Sequence, residues 1–166
     1  MFKEVAIESL AFNPFTKIGV EWMLVTAGDE QSYNTMTASW GGLGVMWGKN
    51  IANVYIRPQR YTREFVDGNE YFTLSFYDKE YKKALGICGS KSGRDVDKAA
   101  ETGLTPYFVE GTTAFAEANM ILVCKKQYRQ EMGAEFFIEQ ENDKEFYPEK
   151  DYHIMYMAEV VKVFVK

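Results

Sequence analysis

The sequence predicts a mainly β domain, a closed barrel or a sandwich, with a few short helices between its strands. Five segments are rich in Val, Ile, Tyr, Phe and Thr and are separated by turn-like clusters, which is typical of strands. They are residues 19–27, 50–57, 70–76, 113–126 and 152–165. Because these strands follow one another without long helices between them, parallel βαβ units are disfavoured.

Three short segments predict helices. Thr62 is suited to cap a helix over residues 62–66, because its hydroxyl can accept a bond from a free backbone N–H. Residues 79–87 carry apolar side chains at helical spacing. A third helix is predicted over residues 95–102, where Gly103 follows as a stop signal.

The last predicted strand is apolar on both of its faces. By simple alternation one face carries Met155, Met157, Val161 and Val163, and the other carries Ile154, Tyr156, Val160 and Phe164. A barrel strand with a solvated outer face would alternate apolar and polar residues. We therefore expect the outer face to be covered, either by another part of the chain or by a second subunit.

Length and charge limit the classes of function. The 166 residues suit one folded domain spanning residues 1–166, with 46% hydrophobic and 26% charged residues. The net charge of -5 argues against a general nucleic-acid-binding protein, which needs a concentrated positive surface. An anionic ligand must therefore find cations that are clustered locally.

Targeting, metal and cysteine signals are sparse. The start of the chain lacks a signal-peptide pattern, and the uncharged residues 31–48 are too rich in Gly, Ser and Thr to span a bilayer. We expect a soluble cytoplasmic protein with no membrane or nucleic-acid partner. Cys88 and Cys124 form no CxxC pair, and the single histidine, His153, predicts no multi-histidine metal site.

The first candidate ligand-binding segment combines small and hydroxylic residues with a tryptophan. It comprises Asn34, Thr35, Met36, Thr37, Ala38, Ser39 and Trp40. Small side chains let a flat ring approach the backbone, whose N–H and C=O groups can bond its polar edge, and the tryptophan supplies an aromatic wall. The alternative is an edge strand that runs into a glycine turn.

The second and third candidate segments are cationic. Arg57, Arg60, Tyr61 and Thr62 lie where a strand ends at a proline and a helix begins, and arginine forks match phosphate oxygens. Ser90, Lys91, Ser92, Gly93, Arg94 and Lys98 form a glycine-framed stretch that can bind an anion through its backbone. The alternatives are solvated arginines and a flexible charged loop. Together, the three segments indicate a small phosphorylated aromatic ligand.

The order of these motifs resembles the flavin reductase-like family of FMN-binding split barrels, especially its flavoredoxin-like members. The matching stretches are NTMTASWGGLG (34–44), YIRPQRYT (55–62), FTLSFYD (72–78), CGSKSGRDVDK (88–98) and HIMYMAEVVKV (153–163). The resemblance implies a six-stranded antiparallel Greek-key split barrel and a homodimer with FMN near the subunit interface.

The resemblance also implies roles for the three segments. Residues 34–40 would line the isoalloxazine ring and ribityl chain, the arginines and Thr62 of 57–62 would take the phosphate, and residues 90–93 would close over it. Arg94 and Lys98 fit the family pattern SGRDxDK; the alternative is that they order this loop through Asp95 and Asp97. His153 matches a recurrent histidine near the active site, but a lone strand histidine is typical of a structural role and is not counted among the site residues.

The function implied is that of an FMN-dependent oxidoreductase. It would take hydride from NADH or NADPH and pass electrons to free flavin, ferric iron or a redox partner. No catalytic side chain is predicted, because the flavin performs the chemistry. The alternatives are an FMN-binding electron-transfer protein without a nicotinamide site, and a base-stacking nucleic-acid module, which the acidic charge disfavours.

Overall fold

A computed structural model describes all residues 1–166, in ten strands and five α-helices. The strands are β1 (Lys3–Val5), β2 (Met23–Gly28), β3 (Tyr33–Ala38), β4 (Gly41–Met46), β5 (Lys49–Ile56), β6 (Tyr71–Phe76), β7 (Pro106–Val109), β8 (Thr112–Phe115), β9 (Met120–Glu131) and β10 (Ile154–Val165). The helices are α1 (Pro14–Thr16), α2 (Thr62–Gly68), α3 (Lys82–Ser90), α4 (Lys98–Thr102) and α5 (Gln140–Phe146). None of them is long and apolar enough to cross a membrane.

Eight strands form one antiparallel sheet in the order β3-β2-β6-β9-β10-β5-β4, with β1 added alongside β10. The sheet ends, β3 and β4, follow each other in the chain but do not pair, so the barrel is split at this seam. β7 and β8 form a separate hairpin. The predicted antiparallel split barrel with a few short helices is confirmed, although it has more strands than the six expected.

Two apolar cores explain why the central strands are buried on both faces. On β2, Met23 and Val25 point into the barrel interior, which holds a cluster of 21 buried residues. Leu24, between them, points outward into a second cluster with Leu85 and Cys88 of α3. Burial on both faces of the sheet thus fixes α3 against the barrel wall.

The bulge in β10 corrects one predicted face. The pairing register of β10 with β9 shifts between Val160 and Lys162, because β10 has one extra residue there. That residue, Val161, is exposed. Val163 therefore points into the barrel core, and its predicted position beside Met155 was wrong. Outside the barrel, Met155 lines a shallow groove with Phe136 and Phe137, so the chain itself supplies part of the expected cover.

Several predicted boundaries were also wrong. The strand predicted over 19–27 starts at Met23, because residues Lys17–Glu21 wind as a π-helical turn. The strand predicted over 113–126 is two strands, β8 and β9. The third helix begins only at Lys98, where the Asp97 carboxylate accepts from the Ala100 N–H at 3.1 Å.

Candidate functional site

A cavity of about 170 Å³ lies beside the end of β3, near the seam of the barrel. Its lining contains seven of the predicted site residues and no carboxylate. The lining residues are Met36, Thr37, Ala38, Ser39, Trp40, Tyr55, Arg57, Arg60 and His153. The cavity therefore combines two guanidinium groups with a hydroxylic strand end and aromatic side chains.

The end of β3 is held in place from two sides. The Thr37 hydroxyl donates to the Leu85 carbonyl of α3 at 2.5 Å. Just beyond the strand, the exposed Trp40 ring meets Phe146 edge-on at 5.4 Å and lies 5.3 Å from the His153 ring. These contacts give the cavity an aromatic wall, and the role of Trp40 toward a bound ring stays a prediction.

The two arginines of the cavity differ in their partners. Arg57 forms an ion pair with Asp151 at 2.7 Å and donates to the Phe146 carbonyl at 2.8 Å. Arg60 forms no ion pair and donates to the Gly89 carbonyl at 2.6 Å. Burial, reinforced by the charge of Arg57, lowers the pKa of Arg60. Arg60 thus carries the uncompensated positive charge of the cavity.

The two predicted cationic segments touch each other. Besides the bond from Arg60 to Gly89, the Arg94 guanidinium donates to the Gln59 carbonyl at 3.3 Å. It also pairs with Glu64 and lies 4.5 Å from the centre of the Tyr61 ring. The segments 57–62 and 89–98 therefore converge in space.

A second concavity, of about 430 Å³, is lined by residues 31–35 and 93–99. Within it, Lys98 is 6% exposed, and its ammonium donates to the carbonyls of Thr35 and Cys88, each at 2.8 Å. No carboxylate pairs with it, and burial lowers its pKa to about 8. Lys98 is the second cation without a counter-charge, and it holds β3 against α3.

Asn34 and Gly93 fit closely against each other in this concavity. The Asn34 amide donates to the Thr62 hydroxyl at 2.7 Å, and its oxygen occupies the space that a side chain at position 93 would need. Thr62 therefore does not cap α2 as predicted, because Tyr61 takes the capping position without a side-chain bond. The bond instead links α2 to β3.

The remaining predicted residues line neither concavity. The Ser90 hydroxyl donates to the Gly86 carbonyl at 2.9 Å, and Lys91 pairs with Glu101. Ser92 accepts from the Arg94 N–H at 3.2 Å. Their roles toward a ligand stay predictions, as does that of Tyr61.

Sequence reasoning missed two residues of the 170 Å³ cavity. Tyr55 and His153 line it, and neither was counted among the site residues. Tyr55 alternates along its strand like any aromatic of a barrel, so no local signal marked it. The signal for His153 was its place in the family motif. Burial, then the charges of Arg57 and Arg60, lower the His153 pKa to about 4.

These features define a split β-barrel domain with a cation-lined cleft beside its open seam. Residues 16–166 match the family described as flavin reductase like domain, which covers nearly the whole chain. The chain therefore belongs to the flavin reductase-like family, and the resemblance seen in the sequence is confirmed.

Solved structures with this fold include flavin proteins from several organisms. An FMN-binding domain of a flavin reductases-like enzyme from Shewanella baltica superposes with a TM-score of 0.71 at 18% identity, covering 99% of this chain and 77% of that one. The flavoredoxin of Desulfovibrio vulgaris superposes with a TM-score of 0.69 at 23% identity, covering 99% of this chain and 76% of that one. An FMN-binding protein from Thermus thermophilus with bound p-hydroxybenzaldehyde superposes with a TM-score of 0.69 at 20% identity, covering 87% of this chain and 71% of that one. No curated protein sequence matches the chain significantly.

Proposed function

We propose that this protein binds FMN and acts as a flavin-dependent oxidoreductase. The observation that carries the proposal is the uncompensated guanidinium of Arg60 in a cavity that no carboxylate lines. Even a half-buried cation without a counter-charge is costly, and a phosphate or other anion relieves that cost. Membership of the flavin reductase-like family supports FMN as the source of the phosphate.

The chemistry of the cavity residues fits FMN, but the cavity alone is too small for the whole cofactor. Cavities for ligands of this size usually measure about 300–1,000 Å³, more than the 170 Å³ found here. The cofactor would therefore extend beyond this cavity. Met36 to Trp40 would face its ring and Arg60 its phosphate, while Asn34 and Thr35 of β3 and Lys98 of α4 line the neighbouring concavity.

The side chains would bind and orient, and none is assigned as an acid or base. Bound FMN supplies the hydride and electron chemistry. Arg60 and Lys98 would favour an anion in the cleft, and the aromatic wall of Trp40 and Phe146 would exclude water from one side of it. Arg57 already has a carboxylate partner, so its contribution to holding phosphate would be smaller than that of Arg60.

The electron donor in this proposal is NADH or NADPH, and the acceptor is free flavin, ferric iron or a redox partner. The test is anaerobic addition of NADH or NADPH to the FMN-loaded protein, followed by absorbance. Rapid bleaching of the flavin band supports the proposal. No bleaching at several millimolar nicotinamide, above the usual KM range of about 1 μM–1 mM, contradicts it.

A second candidate is an FMN-binding electron-transfer protein that a partner protein reduces. It would use the same FMN-binding residues and differ only in having no nicotinamide site. In that case NADH and NADPH leave the flavin oxidised, whereas dithionite bleaches it.

We also propose a cytoplasmic homodimer. Val45 is 74% exposed and Trp47 is 52% exposed, and the Trp47 ring lies 6.5 Å from that of Tyr128. Contiguous exposed apolar groups of this kind mark protein interfaces. Two buried cysteines, Cys88 and Cys124, form no disulfide, which is consistent with a reducing compartment. Cell fractionation tests the location.

A further inference from the structure

His153 and Tyr147 form a buried pair at the edge of the 170 Å³ cavity. His153 directly precedes β10, and its carbonyl accepts from the Met132 N–H at 3.0 Å, which fixes its backbone. Tyr147 directly follows α5, and its hydroxyl oxygen lies 2.6 Å from Nδ1 of His153. The two residues are 7% and 5% exposed. The Tyr147 N–H donates to the Asp143 carbonyl at 3.0 Å, so the pair is close, largely buried and fixed by a backbone bond at each residue.

The neighbours of the Tyr147 hydroxyl decide which atom of the pair donates. The only other polar neighbour of this hydroxyl is the Met132 sulfur at 4.0 Å, and a thioether is a weak acceptor. A neutral imidazole nitrogen at 2.6 Å is much the stronger acceptor, so Tyr147 donates and Nδ1 accepts. Nδ1 can accept only if it carries no proton.

The imidazole is neutral around pH 7. Burial and the guanidinium groups of Arg57 and Arg60 disfavour a positive charge on His153. Asp151 opposes them, but its carboxylate is engaged by Arg57. These are the charged groups that act on the ring. A neutral imidazole with a bare Nδ1 carries its proton on Nε2.

Nε2 is open to the cavity. It bonds to no protein atom, and it is not one of the four side-chain polar atoms that are buried without a partner, while His153 itself lines the cavity. Its N–H is therefore available to a ligand.

We propose that Tyr147 is a positioning residue that fixes His153 as the Nε2–H tautomer, which donates a hydrogen bond to a carbonyl oxygen of a ring bound in the cavity. A neutral donor suits a neutral carbonyl and adds no third positive charge beside the two arginines. The flavin ring and the carboxamide of a nicotinamide both carry such an oxygen. The identity of the ring rests on the proposed function, but the tautomer does not.

Nuclear magnetic resonance of the imidazole nitrogens tests the tautomer directly. The chain has a single histidine, so labelling histidine gives one imidazole signal set without assignment. We expect a protonated Nε2 and a bare Nδ1 in the ligand-free protein, unchanged over about pH 5–8, where an ordinary histidine titrates. An Nδ1–H form, or a mixture, in the native protein overturns the proposal.

A pair of tyrosine variants provides the matched comparison. Tyr147→Phe removes the donor to Nδ1, and we expect mixed tautomers. Tyr152→Phe removes a hydroxyl from the same aromatic cluster, but that hydroxyl donates to Asp143 at 2.7 Å, so the imidazole signals should not change. If the two variants give the same spectrum, Tyr147 does not position His153. If Tyr147→Phe fails to fold, the native spectrum alone decides.

Adding ligands to the labelled protein separates this inference from the proposed function. FMN is added first and its binding is followed by flavin fluorescence; oxidised nicotinamide is then added. A shift of the Nε2–H signal with FMN assigns the flavin carbonyl, and a shift only with nicotinamide assigns the carboxamide. Binding of both with no shift overturns the donor role. No binding of FMN refutes the proposed function instead, and the tautomer result stands on the free protein.

Discussion

Replacement of Arg60 by alanine should weaken FMN binding strongly while leaving the fold intact. The Arg60 guanidinium makes one protein hydrogen bond, to the Gly89 carbonyl, and no ion pair. In the FMN complex it would gain a charged bond to phosphate, and a bond of this kind contributes about 1.5–3 kcal/mol. At 1.4 kcal/mol per tenfold, the Kd of Arg60→Ala should rise about 10- to 140-fold.

The assay is a titration of apoprotein with FMN, followed by quenching of flavin fluorescence. Arg129→Ala is the matched control, because it removes the same charge from an arginine that is paired with Asp67 and Glu131 and does not line the cavity. Its Kd should stay within about twofold, since charges that contact no ligand contribute little. Equal affinities for the two variants would refute the role of Arg60, provided that thermal melts show both folded.

Three further predictions concern packing, pH and assembly. Gly93→Ala should lower both Tm and FMN affinity, because its Cβ would displace the Asn34 amide; Gly86→Ala in α3 meets nothing within 4 Å and should raise Tm by about 2–4 °C. Burial raises the pKa of Asp67, but side-chain hydrogen bonds and nearby arginines outweigh it, so the folded pKa lies below the unfolded one. Its stabilisation is then present above about pH 4 and lost as pH falls through the folded pKa. Urea unfolding of Asp67→Asn should show a loss of about 1.5–3 kcal/mol at pH 7 and a weaker acid dependence. Trp47→Glu should convert a dimer to a monomer in sedimentation velocity, and a monomeric parent protein would contradict the proposed assembly.

The fold class could be read from the sequence because burial on a sheet imposes a local pattern. In residues 70–76, Phe72, Leu74 and Phe76 alternate with other residues and point into the barrel core, whereas the opposite face carries Tyr71, Thr73 and Ser75, of which Thr73 and Ser75 are buried although polar. The bulge at Val161 was not predictable in this way, because one inserted residue shifts the period of two without changing the composition. The break between β8 and β9 was missed because no glycine or proline marks residues 116–119.

The sequence predicted which segments form the candidate site, but not which of its charged side chains are paired. The residue types at 34–40, 57–62 and 89–98 indicated an anionic aromatic ligand, and the structure brings the three segments together. Which cations are neutralised depends on partners far away in the sequence: Arg57 meets Asp151 and Arg94 meets Glu64. Such pairings follow from the tertiary fold, so composition alone ranked all the cations equally. The Tyr147 and His153 pair escaped detection for the same reason.

The distribution of unpaired charge is the physical argument for a ligand here. The chain has 24 acidic and 19 basic residues, so carboxylates are in excess. Even so, the half-buried Arg60 and the buried Lys98 meet only backbone carbonyls, and burial lowers the pKa of each. Proteins keep such costly arrangements mainly at functional sites, where a bound group compensates them. An anion that binds the folded protein would recover part of this cost as stability, because ligand binding stabilises by RT ln(1 + [L]/Kd).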